Sequence, residues 1–180
     1  MPTARESLLE AAGAALSARP WPDVRMVDVA AAAGVSRQTL YNEFGGKAGL
    51  GRALVRRAAD RYLDGVDRAL SVPAQAAERL AAVAEWTVRA ARAQPLVRAL
   101  LTGAWDAGLP AAGGRAPGPG DLARAVRDRA AAALTPGEGP QRCELAVRLA
   151  LSYVIAPGEE SGSGELRRLL SAPTRTTGAR

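Results

Sequence analysis

An all-α fold is what these 180 residues predict, on three observations. No segment sustains the alternation of apolar and polar residues that marks a strand, and β-branched runs are scarce. Ala, Leu and Arg, all good helix formers, recur along the whole chain. Capping residues, prolines and glycines punctuate it at helical lengths. The expected architecture is a three-helix amino-terminal domain over residues 1–48 and a helical carboxy-terminal domain over 49–173. A disordered tail over 174–180 follows, and the helices number about nine in all.

Each element has its own local reason. Thr3 followed by Glu6 is a capping box, and it opens a helix with Leu8, Leu9, Ala12 and Leu16 on one side. Pro20 and Pro22 end it, since each disfavours helix at the residue before it. A short helix from Met26 to Ala33 stops at Gly34, and Ser36 caps a third helix running to Phe44. Gly45 and Gly46 break that helix, and a long one starts at Lys47 and reaches Leu70. The next helix covers 73–93, and Pro95 opens a short one carrying Leu96, Val97, Leu100 and Leu101. The stretch "DAGLPAAGGRAPGPG", 106–120, has the composition of a mobile loop. Helices over 121–134 and 140–155, a second loop, and a short helix from Glu165 complete the chain.

Composition excludes several kinds of chemistry. Histidine is absent and Cys143 is the lone cysteine, which removes the commonest general base, the commonest metal ligand and any thiolate cluster. No Gly-rich phosphate loop follows a strand, and the carboxylates do not cluster, so an enzyme is not expected. No cofactor or metal is expected either. There is no apolar run of about 20 residues, and Arg5, Glu6 and Glu10 precede any apolar segment, so a cytoplasmic protein without a membrane partner is the expectation. The net charge is +6, yet residues 1–48 balance Arg5, Arg19, Arg25, Arg37 and Lys47 against Glu6, Glu10, Asp23, Asp28 and Glu43. Any case for nucleic acid therefore rests on local geometry more than on bulk charge.

That geometry lies in "GVSRQTLYNEFGGK". On a wheel of 100° per residue Leu40 and Phe44 share one face of the third helix, with Val35 beside them. Gln38 and Asn42 point away from it, flanked by Thr39 and Tyr41, with Arg37 at the amino-terminal end. Gln and Asn amides pair in bidentate fashion with adenine in the major groove. Two helices joined at Gly34 have the lengths of a helix-turn-helix. Lys47 starts the next helix, where its ammonium and the free backbone N–H groups together suit a phosphate. A solvated polar face beside a helix corner fits the same pattern.

The segment "VDVAAAAGVSRQTLYNEFGGKAGL" resembles the DNA-binding region of the TetR family of bacterial transcriptional regulators. Ala30, Gly34, Val35, Ser36, Thr39, Leu40, Tyr41, Phe44, Lys47 and Leu50 stand at that family's characteristic positions, and the likeness covers the first 50 to 60 residues. The resemblance implies base or groove contacts from Arg37, Gln38, Tyr41 and Asn42, and phosphate contacts from Ser36, Thr39, Tyr41 and Lys47. Two departures stand out. Val27 occupies a position often held by Arg, and Arg25 stands in place of a Thr or Ser cap, where it is a substitute phosphate contact. Glu43 occupies a position often held by His, and its carboxylate repels phosphate unless a cation pairs with it or it accepts from cytosine N4.

In TetR-like regulators the later helices hold an effector pocket and a two-fold interface. The 140–155 helix is apolar around much of its circumference, so a side buried against a partner is expected at Leu145, Leu151 and Val154. Leu166 and Leu169 of the last short helix are the second interface candidates. A homodimer is expected because paired heads read two half-sites about 34 Å apart. For the pocket, Trp86, Trp105 and Tyr153 are expected to converge beside Val83, Leu101, Val126 and Leu149, with Thr87 as a polar handle. Such a lining implies a small hydrophobic effector. "QPLVRALLTG" and "LALSYVIAP" further resemble an actinobacterial TetR subgroup linked to alkane or fatty-acyl metabolism. Coupling is expected through the helix from Lys47, read as the one element touching both halves. Gly49 and Gly51 would soften its start by about 1 kcal/mol each.

The expected function is an effector-responsive repressor that binds a palindromic double-stranded DNA operator as a dimer. The alternative is a helical small-molecule-binding or protein-interaction module whose helix-turn-helix no longer binds DNA, with Val27 and Glu43 as its support.

Overall fold

The computed structural model describes residues 2–111, 113, 116–134, 140–156 and 168. Among them the chain is all-helical: α1 (Ala4–Ala18), a 3-10 turn (Trp21–Asp23), α2 (Met26–Ala32), α3 (Arg37–Phe44), α4 (Lys47–Leu70), α5 (Ala76–Ala93), α6 (Pro95–Thr102), α7 (Pro119–Ala133) and α8 (Pro140–Ile155). The expected helix from Glu165, the tail over 174–180 and the interface candidates Leu166 and Leu169 lie outside the described residues. No helix among the described residues is long and apolar enough to cross a membrane.

Local chemistry places the boundaries where the residue types require them. The Thr3 hydroxyl accepts from the Glu6 N–H at 3.2 Å while the Glu6 carboxylate accepts from the Thr3 N–H at 2.7 Å, closing the capping box of α1. Gly34 turns between α2 and α3 at φ 68°, and Gly45 ends α3 at φ 69°, backbone that a side chain disfavours. The 3-10 turn departs from expectation: Pro20 and Pro22 end α1, but Trp21 between them is folded inward and buried.

We call α1–α3 the head and α5–α8 the body. The head packs around Leu8, Ala12, Val24, Val29, Leu40 and Phe44, and α4 runs from it into the body, where it meets α5, α6 and α7. Yet α4 is not the sole link. The Trp21 N–H donates to the carbonyl of Gly108 at 2.7 Å, tying the head to the segment between α6 and α7. Pro110 of that segment is buried. A Cβ on Gly51 would fall 2.9 Å from Pro110 Cβ and 3.3 Å from Trp21 Cζ2. The described part of the segment read as a mobile loop is therefore docked on the head.

The two glycines at the start of α4 serve packing. A Cβ on Gly49 would lie 1.7 Å from the Phe44 carbonyl oxygen, so α3 ends directly against the first turn of α4. This corrects the reading of Gly49 and Gly51 as softening residues: both sit where two segments approach closely.

The body core holds two buried titratable groups. Burial pushes the Tyr62 phenol up to about 12, against the opposing effect of its hydrogen bond with Thr87. Burial likewise pushes the Cys143 thiol up to about 11. Both are acids kept neutral by the fold, so the unfolded chain gives up their protons first. Stability is then full below pH 9 and falls as pH rises through 9 to 12, by about 2–3 kcal/mol for each group. Urea midpoints measured between pH 8 and 12 should show this decline, and Tyr62→Phe should remove the part above pH 10.

Candidate nucleic-acid interface

The third helix presents the surface its wheel implies. Leu40 and Phe44 are buried, whereas Ser36, Arg37, Gln38, Tyr41 and Asn42 are exposed and Thr39 is half-buried. Ser36 caps the helix, its hydroxyl accepting from the Thr39 N–H at 3.0 Å, and the two hydroxyls lie 2.8 Å apart. Gln38 Nε2 donates to Asn42 Oδ1 at 2.9 Å, which fixes the two amides on the outward ridge. The Arg37 guanidinium stands 5.4 Å from the centre of the Tyr41 ring and donates to its hydroxyl at 3.5 Å. This ridge is a row of donors and acceptors already held in place, a property that lowers the ordering cost of binding.

Glu43 does not face the same way as the ridge. Arg5 of α1 donates to its carboxylate at 3.3 Å and to its carbonyl at 3.1 Å, and the same guanidinium stacks 4.6 Å from the Phe44 ring. The cation that the sequence reading required for this carboxylate is therefore present. Glu6 is held in the α1 cap, Glu10 between Arg57 and Arg61, and Asp28 between Arg19 and Arg25. Four of the head's five acidic groups, all but Asp23, are thus engaged, while Arg37 stands on the ridge with no carboxylate partner among the described ion pairs.

Two of the candidate cations have internal partners. Arg25 Nε donates to Asp28 at 3.0 Å. Lys47 Nζ donates to the Pro22 carbonyl at 2.7 Å and stands 5.6 Å from the centre of the Trp21 ring. Lys47 thereby staples the 3-10 turn to the start of α4, and an ammonium so placed keeps two of its three N–H donors. The spacing of Lys47 from Ser36 carries no hint of this staple, because Pro22 is brought to it by the packing of Trp21. Val27 is 53% exposed on α2, an apolar side chain beside the polar surface.

Among the described residues, none of the described concavities is lined by more than one of the body residues named for a ligand. Val83, Leu101 and Val126 are buried in the core. The Thr87 hydroxyl is engaged by Tyr62 at 2.9 Å and by the Val83 carbonyl at 2.8 Å. Trp86 donates to the Tyr62 carbonyl at 2.9 Å, and its ring covers Gly65 so closely that a Cβ there would fall 2.1 Å from it. Leu149 and Tyr153 are half-buried on α8. Trp105 borders a concavity of about 370 Å³ with Pro95, Arg98 and Leu109, which Val126 does not line. Volume matching in a core of many alanines explains the difference, since large side chains there fill space between helices.

Of the interface candidates, Val154 belongs to the chain's own core at 4% exposure, so its side chain is not on an outer face. The buried side of α8 is made of Cys143, Ala146, Ala150 and Val154, all small. Leu145 is turned outward at 49% exposure, with Ile155 at 66% near the end, whereas Leu149 and Leu151 are half-buried against the core.

Comparison with known proteins agrees with this geometry. Residues 8–54 match the bacterial regulatory proteins of the tetR family. The HTH-type transcriptional regulator AlkX of Mycobacterium tuberculosis is 47% identical over 66 residues, which span 37% of this chain and 31% of that protein. Over nearly the whole chain the fold is that of the TetR-family repressor AlkX from Dietzia sp. strain DQ12-45-1b. That structure gives a TM-score of 0.57 at 23% identity, over 92% of this chain and 93% of that one. A tetR-family transcriptional regulator from Streptomyces coelicolor gives 0.60 at 25% identity, over 94% of this chain and 79% of that one. The amino-terminal match and the shared fold agree with the capped, outward-facing third helix: residues 8–54 match the tetR family of bacterial regulatory proteins, and nearly the whole chain has the fold of solved TetR-family structures.

Proposed function

We propose that the protein is a DNA-binding transcriptional repressor acting as a homodimer on a palindromic operator and released by a small apolar ligand. The observation that carries the reading is the α3 ridge, where Arg37, Gln38, Tyr41 and Asn42 are exposed and mutually braced while the nearby carboxylate of Glu43 is tied back to Arg5. Gln38 and Asn42 read base edges, Arg37 and Tyr41 reach groove and backbone, and Ser36, Thr39, Lys47 and Arg25 meet phosphates. The domain division proposed for these roles is a reading head over 1–48 and an effector and dimerisation body over 49–173. A cytoplasmic location suits such a protein, and no catalytic role is assigned.

The exposed apolar side chains of α8 support the dimer, because Leu145 and Ile155 lie open on its outer side and suit burial against a second copy. The TetR-family repressor AlkX from Dietzia sp. strain DQ12-45-1b, whose fold this chain shares, is implicated in biodegradation of n-alkanes, which favours an apolar ligand here as well.

Selection of duplexes from a random library, with binding of the winners followed across salt, tests the reading. A palindrome and a steep salt slope are expected. Weak binding without sequence preference would instead favour a ligand-binding module with an inactive helix-turn-helix. Lys47→Met separates phosphate contact from scaffolding. It should weaken all duplexes alike and reduce the salt slope by about one per head, with a loss of stability of about 1 kcal/mol from the missing Pro22 bond. A stability loss with an unchanged salt slope would leave Lys47 purely structural.

A further inference from the structure

The largest of the described concavities, about 820 Å³ between α1 and α2, is lined by alanines and by charged groups that are already engaged: Glu6 in the α1 cap, Arg19 with Asp28, and Arg57 with Glu10. The next differs. It is a cleft of about 490 Å³ with α1 on one side, α4 as its floor, and the α5–α6 corner opposite. Its size suits a small molecule. Leu9 and Leu16 of the head face Leu54, Leu96 and Leu109 across it. Pro20 and Gly108 border one end, and there the Trp21 N–H bond to the Gly108 carbonyl joins head to body.

Charge distinguishes the rest of the lining. Arg57 and Arg61 both donate to one carboxylate, that of Glu10, so two guanidiniums share a single anion. Arg19 and Asp106, the other charged lining groups, are engaged elsewhere: Arg19 with Asp28 at 3.6 Å, and Asp106 with the Gly108 N–H at 2.7 Å. Counted over the whole lining, the cleft combines an apolar trough with three guanidiniums against two carboxylates, those of Glu10 and Asp106. The first turn of α6 also borders it, and Gln94 at the cap makes no side-chain bond to the free N–H groups there.

We propose that this cleft between head and body binds an apolar organic anion, its chain or ring in the leucine trough and its acidic group on Arg57 and Arg61. The occupant touches α1, which carries the reading head, and the α5–α6 corner, which belongs to the body. It thereby gives the ligand response a location outside the body core, where Thr87 and Trp86 are already engaged. The inference rests on the repressor reading only for what binding does to DNA; binding itself is tested with DNA absent, so the two fail separately.

Gly13 supplies the decisive variant. It borders the cleft, and a Cβ there meets nothing within 4 Å, so the position accepts a side chain at its root. The probe is 8-anilinonaphthalene-1-sulfonate, an aromatic body with one sulfonate, titrated by fluorescence into the full chain. Decanoate, decanol and decyltrimethylammonium serve as competitors. One probe per chain is expected, displaced by decanoate at least tenfold better than by decyltrimethylammonium. Gly13→Trp should weaken the probe at least tenfold with unchanged helicity, and Gly13→Leu should do so to a smaller degree. Arg61→Gln should weaken decanoate several-fold while leaving decanol unchanged. Probe affinity unaltered in both Gly13 variants, or equal competition by the ammonium compound, overturns the assignment.

Discussion

Replacing Gly49 with alanine should destabilise the protein by about 3 kcal/mol or more and abolish operator binding. Helix propensity alone predicts the opposite sign, a gain of about 1 kcal/mol, since Gly49 lies inside α4. The steric term decides. The new methyl would sit 1.7 Å from the Phe44 carbonyl oxygen and 2.9 Å from its carbon, and a backbone group cannot rotate away as a side chain does. Relief requires the end of α3 to move off α4, and with it the ridge carrying Gln38 and Asn42. Thermal unfolding and operator titration check both parts. Gly13→Ala is the control: with open space around the added methyl, it should gain about 0.5–1 kcal/mol. A Gly49→Ala protein as stable as the parent would return Gly49 to the role of a softener of α4.

The double variant Gln38→Ala, Asn42→Ala should lose about 2–6 kcal/mol of operator affinity across two half-sites, at least about a thirtyfold weakening. Duplexes of unrelated sequence should bind as before, since the phosphate contacts are intact. Each single variant should already cost most of this, because the Gln38 amide donates to Asn42 and loss of either partner frees the other to rotate. Titration of the selected palindrome and a scrambled duplex, at one salt concentration, measures the difference. Equal loss on both duplexes would make the ridge a generic polar surface.

How far all this was legible in the chain varies with the range of the interaction involved. The α1 capping box, the Ser36 cap, the glycine corners and the exposed side of α3 are matters of three or four residues, and the structure places them as their spacing implies. The start of α5 lies three residues later than the composition suggests, at Ala76, because the Gln75–Glu78 capping box sets it. What spacing could not reveal joins distant segments. Arg5 meets Glu43, Lys47 meets Pro22, and Trp21 meets Gly108, each pairing arranged by packing. The body shows the same limit more sharply. Periodicity marks α8 as apolar nearly all round, but not that its small residues face inward while Leu145 lies open on the outer side. Likewise Trp86 has the size to wall a cavity, and only the closeness of Gly65 reveals that it seals one.

The bond between the Trp21 N–H and the Gly108 carbonyl has a consequence for how such a protein diversifies. Both partners are main-chain groups, so no side-chain substitution deletes the bond directly, proline at 21 excepted. In the proposed regulator, residues along the cleft and the body can drift to suit new small molecules while the attachment between sensor and reader persists. Variation in ligand preference is thereby uncoupled from loss of the attachment, and a lineage can explore new signals with its reading head still fastened.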